Sequence, residues 1–193
     1  MDGTQAEALL ARVAAQDAES RKSFRTLYEA FSRDVYAFAW NRLRDARESE
    51  EVVIDTMHEL WRSAGRFRGD SAFRTWLLGI ARHKILDRIR GREPRHEDID
   101  ELGESVEDES PDVVEKLAAA ARSLGVQRCM KGLSSQHREC LHLLYFQDMS
   151  IHEMAAVQSV PEGTIKTRLF HARQKIKECL KALLQAEGHR GLA

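Results

Sequence analysis

The sequence of 193 residues has few helix breakers, few cysteines and no long apolar run. Its three prolines, Pro94, Pro111 and Pro161, leave long uninterrupted stretches, and no alternating run of valine, isoleucine and threonine predicts a strand. No apolar stretch approaches the roughly 18–20 residues of a membrane-spanning helix, and the N-terminus lacks the pattern of a signal peptide. We therefore expect an all-helical protein that resides in the cytoplasm.

The cysteines are three in number, at Cys129, Cys140 and Cys179, and no two form a close C-x-x-C pair. This spacing predicts neither a disulfide framework nor a structural zinc site, and it suits a reducing compartment. A redox-sensitive role for Cys129 and Cys179 is an open alternative, and only the presence of the two cysteines supports it. Four residues lie near one another in the sequence, but their spacing matches no metal-ligand pattern: His137, Cys140, His142 and His152. We expect core or surface roles for them, with no metal and no cofactor.

Net charge is close to zero, with 30 basic and 31 acidic side chains, and this total taken alone argues against a partner such as nucleic acid. The net charge differs strongly between three segments of the chain. Residues 1–92 carry a net charge of +3, residues 93–115 carry -10 and residues 116–193 carry +6. Two basic blocks therefore flank an acidic strip.

Apolar residues recur at helical spacing in four segments of the first half, at residues 5–15, 24–44, 48–63 and 73–90. They predict a compact four-helix unit. The acidic strip has almost no large apolar side chains, so it is expected to be a flexible linker. The predicted organisation is a first domain at 1–92, a linker at 93–115, a second domain at 116–187 and a tail at 188–193. That tail leaves no room for another domain, so regulation is expected from outside the chain.

The second half predicts a helix-turn-helix. Helical periodicity resumes near Val113, and residues 133–136 form a turn and N-cap before the next helix. A capping box at residues 150–153 opens a short helix that ends near Gln158, and a turn at residues 160–164 leads into the last helix.

That last helix has an apolar stripe made of Ile165, Leu169, Ala172, Ile176, Leu180 and Leu183. Its opposite face is expected to present Lys166, Thr167, Phe170, His171 and Gln174. Residues 166–181 contain six basic side chains and one glutamate. The basic N-terminal end of such a helix suits the major groove of DNA, and the alternative is an ordinary solvated face.

Three motifs carry a resemblance to region 4 of extracytoplasmic-function (ECF) sigma factors of the sigma-70 family. Residues 160–173, VPEGTIKTRLFHAR, resemble the pattern V-P-x-G-T-V-K-S-R-L-x-R-A-R. Residues 133–141 and 149–155 resemble L-P-x-x-x-R-E-x-L and L-S-Y-x-E-I-A. The resemblance implies that this domain reads the promoter -35 element through Arg138, Gly163, Thr164, Lys166, Thr167, Arg168, Phe170, His171 and Arg173. His171 stands where arginine is commoner, which implies a weaker or pH-dependent contact.

Residues 67–82, FRGDSAFRTWLLGIAR, resemble region 2 of the same family, F-R-G-x-S-x-F-x-T-W-L-x-x-I-A. Residues 66–92 hold eight basic side chains, two aspartates and interleaved aromatics, a composition that binds single-stranded DNA. The implied contacts to the melted -10 strand are Phe67, Arg68, Ser71, Arg74, Trp76, Arg82, His83 and Asp87. We expect Phe67 to stack on a base and Phe73 to lie in the core, and a core position is an open alternative for Trp76. His83 replaces a usual asparagine, so it either alters the base preference or is a buried or solvated histidine.

Residues 50–57, EEVVIDTM, occupy the position of the family's E-D-L-V-Q-E-x-F helix, which grips core RNA polymerase. The polymerase contacts that this implies are Glu50, Glu51, Ile54 and Asp55. Ile54 and Met57 depart from the family's glutamine and phenylalanine. An acidic and apolar face suits a partner with basic rims, and it is also compatible with ordinary surface.

The resemblance, which spans about residues 20–185, implies a sigma factor that binds core polymerase, reads duplex -35 DNA and captures a single-stranded -10 element. It also implies an anti-sigma partner. The alternative is a stand-alone helix-turn-helix regulator of duplex DNA. No phosphate-binding glycine loop or paired-carboxylate motif predicts an enzyme. The acidic linker is expected to be a spacer that partly masks the basic faces.

Overall fold

The computed structural model describes residues 1–91 and 124–190, and all regular structure in these ranges is helical. The helices are α1 (Gly3–Ala15), α2 (Ser20–Leu43), α3 (Ala46–Ser63), a 3-10 turn (Ala64–Arg66), α4 (Phe73–Gly91), α5 (Leu124–Lys131), α6 (Ser135–Tyr145), α7 (Ile151–Gln158) and α8 (Glu162–Arg190). The all-helical prediction is confirmed. The predicted linker and the resumption of helix near Val113 lie outside the described residues.

Local caps mark the start of α1, the end of α2 and the start of α3. The side chain of Asp2 accepts a hydrogen bond from the Gln5 amide at 2.8 Å, and Asp45 accepts one from the Glu48 amide at 2.9 Å. Arg44, in the left-handed region at φ 55°, ends α2 one residue before the Asp45 cap. The chain therefore reverses between α2 and α3 in two residues, which favours side-by-side packing of these helices.

The core of the first half is built from the apolar stripes of α1 to α4, and its largest fully buried side chains include Leu27, Phe38, Leu60 and Leu77. Each such burial contributes about 1.5–3 kcal/mol relative to exposure. Phe73 is only 1% exposed and its ring centroid lies 5.0 Å from that of Phe31. The prediction that Phe73 belongs to the core is confirmed.

In the second half, the predicted N-cap is present: the Ser134 hydroxyl accepts a hydrogen bond from the His137 amide at 3.3 Å, and α6 begins at Ser135. The stripe of α8 is buried at four positions, Ile165, Leu169, Ala172 and Ile176. The later stripe residues, Leu180 and Leu183, are half-buried.

The cysteine prediction was wrong for one pair. Cys129 of α5 and Cys179 of α8 form a disulfide with a Cα–Cα distance of 5.7 Å. They are 50 residues apart, so no local spacing announces the bond; the packing of α5 against α8 brings the two thiols together. Cys140 is reduced and buried, as its place on the apolar face of α6 predicts.

The described residues divide into two compact units. The first contains α1 to α4 and also residues 152–159, which are most of α7 and the residue after it, and the second contains the other described residues of the C-terminal half. The predicted boundaries at residues 92, 115 and 187 stay predictions. Among the described helices, none has the length and apolar character needed to cross a membrane.

Candidate nucleic-acid and protein interfaces

The N-terminal half of α8 carries the predicted duplex-binding face. Lys166 and Gln174, eight residues apart, are both exposed, and Gly163 is exposed in the first turn. The Thr167 hydroxyl donates to the Gly163 carbonyl at 3.0 Å, which ties the threonine back to its own helix. Lys166 is thus the predicted residue whose charge projects most directly from this end of the helix.

The remaining predicted residues of this face are half-buried: Arg138, Thr164, Thr167, Arg168, Phe170, His171 and Arg173. Several pack against other side chains of the same unit. The Arg173 Nε donates to the Tyr145 hydroxyl at 3.3 Å, and the His171 ring lies 6.3 Å from that of His137. Arg173 therefore helps join α8 to α6 as well as adding positive charge.

The exposed face of α4 aligns three predicted residues of the single-strand site. Trp76, His83 and Asp87 follow one another at intervals of seven and four residues, which places them on one side of the helix. His83 and Asp87 are exposed and Trp76 is half-buried. The exposed position of His83 agrees with a solvated or base-contacting histidine and contradicts the buried alternative.

Phe67 lies in the loop between the 3-10 turn and α4, and it is half-buried rather than free. Its ring centroid is 5.3 Å from that of Trp76 and 6.4 Å from that of Phe73. Gly69, in the left-handed region at φ 75°, supplies the reversal that brings Phe67 back onto the start of α4. Phe67 and Trp76 therefore form one aromatic platform with a buried edge on Phe73.

The basic stretch at residues 66–92 is partly neutralised inside the fold. Arg74 pairs with Asp34 of α2 at 2.7 Å, and Lys84 pairs with Glu59 of α3 at 3.5 Å. Arg66 and Arg68 are exposed and make no ion pair with any described residue. Two exposed positive charges therefore flank Phe67 directly. Ser71 and Arg82, the other predicted residues here, are half-buried.

An acidic ridge on α3 faces a basic ridge on α4. Arg88 donates from Nη1 to Glu51 Oε2 at 2.6 Å and from Nη2 to Asp55 Oδ2 at 2.5 Å. The hydrogen bond from Arg88, followed by that from Arg47, lowers the pKa of Glu51 below its ordinary value. Burial alone would lower the pKa of Arg88, but its bonds to Asp55 and Glu51 outweigh that effect and raise it.

The four residues predicted to bind polymerase therefore fall on two sides of α3. Glu51 and Asp55 lean toward α4, whereas Glu50 and Ile54 border a groove of about 430 Å³ between α2 and α3. Ile54 is 61% exposed, which is high for an isoleucine in a folded chain. The groove is lined by Tyr28, Ser32, Arg33, Tyr36, Glu50, Val53 and Ile54.

Sequence reasoning missed Arg88 and the α2 side of the groove. Arg88 was counted as one more positive charge of a basic stretch, because its carboxylate partners lie 37 and 33 residues earlier. A helical projection of α4 could have found it, since Arg88 shares the inner side of the helix with the buried Ala81 and Ile85. Tyr28 and Tyr36 carried no motif.

Comparisons with known proteins agree with these two regions. The family model described as Sigma-70 region 2 matches residues 27–95, and that described as Sigma-70, region 4 matches residues 123–176. The ECF RNA polymerase sigma factor SigK of Mycobacterium tuberculosis (strain ATCC 25618 / H37Rv) is 32% identical over 178 residues, which cover 90% of this chain and 92% of SigK.

Two solved structures share the fold. The structure of CnrH in complex with the cytosolic domain of CnrY matches with a TM-score of 0.63 and 24% identity, over 94% of this chain and 98% of that one. The sigma factor RpoE from Bartonella quintana, solved with the anti-sigma factor NepR, matches with a TM-score of 0.60 and 23% identity, over 83% and 98% of the respective chains.

Proposed function

Because this chain belongs to the sigma-70 family, and within it to the ECF RNA polymerase sigma factors, we propose that it directs promoter-specific initiation by bacterial core RNA polymerase. The observation that carries this proposal is the order of the matches: region 2 falls on the first half and region 4 on the second half of one chain. A stand-alone regulator of duplex DNA would need only the second. The protein makes and breaks no covalent bond in this role and works in the cytoplasm.

Reading of the -35 element is assigned to the N-terminal half of α8. A helix N-terminus attracts phosphate through its unpaired amides and dipole, and exposed side chains in the first turns reach base edges in the major groove. The exposure of Lys166 and Gln174 supports this assignment. Phosphate contacts then position the helix, and the neighbouring side chains select the bases.

Capture of the -10 strand is assigned to the platform of Phe67 and Trp76 with the outer face of α4. Stacking on an aromatic ring contributes about 1–3 kcal/mol per base, comparable with the few kcal/mol of unstacking that an exposed base costs. Arg66 and Arg68 supply charge beside the platform. Because the site binds single strand better than duplex, it shifts a pre-existing opening equilibrium and needs no chemical energy.

Binding of core polymerase is assigned to α3. Its exposed Ile54 and the neighbouring carboxylates combine an apolar anchor with negative charge, which suits a partner surface with basic rims. The exposed Tyr28 extends the same apolar surface onto α2.

An anti-sigma protein is proposed as the regulatory partner. CnrH was solved with the cytosolic domain of CnrY, and RpoE with the anti-sigma factor NepR, and both share this fold. A partner that covered the α2–α3 groove would block polymerase from the same surface.

In vitro transcription with purified core polymerase on a promoter library tests the proposal. We expect initiation from a subset of promoters that share both a -35 and a -10 sequence. If the protein co-purifies with polymerase yet selects no promoter, the proposed function fails. If it binds duplex DNA without binding polymerase, the regulator alternative takes its place.

A matched pair of variants tests the α8 assignment in the same assay. Lys166→Ala and Lys177→Ala each remove one exposed positive charge from α8, but they lie 11 residues, or about 16 Å, apart along the helix. We expect Lys166→Ala to reduce initiation about 3- to 30-fold and to relax the -35 selection, whereas Lys177→Ala has a smaller effect that is uniform across promoters. Equal effects would mean that α8 contributes only general charge.

A further inference from the structure

Arg88 holds two carboxylates of α3 at once, and it is the least exposed member of this group. Its side chain is 24% exposed, against 39% for Glu51 and 48% for Asp55. Arg88 lies in the last turn of α4 and uses separate nitrogens for the two bonds, at 2.6 and 2.5 Å. A guanidinium in this fork arrangement fixes the rotamers of both acids.

Each acid binds Arg88 through one oxygen only, which leaves its second oxygen for another partner. Asp55 makes no other hydrogen bond or ion pair within the described ranges, so its Oδ1 is open. Glu51 Oε1 accepts a hydrogen bond from the Arg47 Nε at 3.1 Å, but the side chain of Arg47 is 88% exposed. A single exposed ion pair between residues four apart on one helix is weak, because solvent screens it and both side chains lose rotamer freedom to form it. A stronger partner can therefore displace Arg47 while Arg88 stays in place.

We propose that Arg88 is a positioning residue of the polymerase-binding surface: it holds Glu51 and Asp55 so that the oxygens not bound to Arg88 receive one Lys or Arg side chain of core polymerase, which displaces Arg47. This inference rests on the proposed function. Without Arg88, the two like charges at i and i+4 repel each other and each side chain regains its rotamer freedom, so the pair must be ordered again when the partner binds.

A positioning role for Arg88 predicts an effect on polymerase binding that is opposite in sign to the effect of surface charge alone. Removing a positive charge makes this surface more acidic, which alone would strengthen the binding of a basic partner. A positioning role requires the reverse for Arg88. Arg47 contacts the same carboxylate of Glu51 and carries the same charge, so it is the matched control: as a competitor for that oxygen, its removal strengthens binding under either view.

The experiment measures the Kd of the full-length chain for core polymerase, by fluorescence anisotropy, for wild type, Arg88→Gln, Arg47→Gln and Arg88→Lys. We expect Arg88→Gln to weaken binding about tenfold and Arg47→Gln to bind as tightly as wild type or tighter. Arg88→Lys is expected to fall between wild type and Arg88→Gln, since one ammonium replaces the fork incompletely. Binding of Arg88→Gln that equals or exceeds wild type overturns the proposal.

Two further measurements separate positioning from loss of fold. Thermal unfolding shows whether Arg88→Gln is folded at the assay temperature, and if it is not, Arg88→Lys carries the comparison with the same criteria. In a background with Glu51→Gln and Asp55→Asn, Arg88→Gln should cause no further loss, because its effect passes through those acids; a further tenfold loss there overturns the proposal. If wild type itself fails to bind core polymerase, the proposed function fails instead.

Discussion

At the scale of the residue, the contact that matters most on α3 is one between side chains far apart in the sequence. In the sequence, Arg88 is one positive charge of a basic stretch and Glu51 is part of an acidic motif. In the structure, their side chains form an ion pair at 2.6 Å. Local charge counts treat each side chain as solvated. The packing of α4 on α3 instead places Arg88 in a partly buried position, where loss of solvent favours a carboxylate partner.

The lowered pKa of Glu51 gives a pH-dependence that can be measured. Because the folded-state pKa lies below the unfolded value, Glu51 stabilises the fold above its ordinary pKa, and this contribution disappears as the pH falls through the folded-state value. We expect Arg88→Gln to raise the pKa of Glu51, observed by carbon-detected NMR of its carboxyl group. The stability of the variant should then fall less steeply than that of wild type as the pH decreases from about 5 to 3.

Arg47→Gln is the control for this titration, because Arg47 is the second and weaker cause of the lowered pKa. It should raise the pKa of Glu51 by less than Arg88→Gln does. An equal or larger change in the Arg47 variant would mean that the exposed helix pair, and not the contact with α4, determines the charge state of Glu51.

At the scale of the element, helical periodicity located the structure well. The segment at 48–63 begins two residues after Ala46 and ends with α3 at Ser63, and the stripe of α8 begins three residues after Glu162, because apolar side chains three and four apart need a buried face. The beginning of α2 was placed at residue 24, four residues after Ser20. Its first turn is polar, and the Ser20 hydroxyl donates to the Arg12 carbonyl of α1 at 2.8 Å, a tertiary contact that no periodicity shows.

The loop before α4 depends on one glycine. Gly69 adopts φ 75°, and no atom lies within 4 Å of the place that a Cβ would take, so the cost of a side chain there is conformational and not steric. We expect Gly69→Ala to lower the free energy of unfolding by about 1–2 kcal/mol. The same change should weaken single-strand binding, since the loop sets the position of Phe67. Chemical denaturation and titration with a -10 oligonucleotide measure the two effects.

Gly79→Ala is the matched control. Gly79 lies inside α4, a Cβ there also meets no atom within 4 Å, and its φ is not in the left-handed region. The free energy of unfolding should rise by about 0.5–1 kcal/mol, because alanine favours helix over glycine. If Gly69→Ala were as stable as Gly79→Ala, the left-handed turn would not determine the shape of the loop.

At the scale of the whole molecule, division of the net charge by segment pointed correctly to two basic regions, but it overstated how much charge faces outward. Carboxylates of α2 and α3 pair with Arg74, Lys84 and Arg88. These pairs form because the helices pack against one another, and a sum of charges along the sequence contains no information on that packing. The same limit applies to Cys129 and Cys179, whose contact depends on how α5 meets α8.

The disulfide is expected to stabilise the second unit alone. A cross-link between residues 50 apart restricts the unfolded chain by about 4 kcal/mol in the chain-entropy account, and native disulfides typically contribute 2–4 kcal/mol. In a reducing compartment this contribution is absent. We expect dithiothreitol to lower the free energy of unfolding of the second unit by about 2–4 kcal/mol when helicity is followed by circular dichroism under denaturant.

The distribution of tryptophan provides an internal control for this experiment. Trp40, Trp61 and Trp76 are the only tryptophans of the chain, and all lie in its first half, so their fluorescence reports unfolding of the first unit. Reductant should move that transition little. Cys129→Ser should reproduce the reduced curve without reductant and show no further response to it, whereas Cys140→Ala should retain the full response. A reductant effect that persists in Cys129→Ser would place the sensitivity outside the bond between α5 and α8.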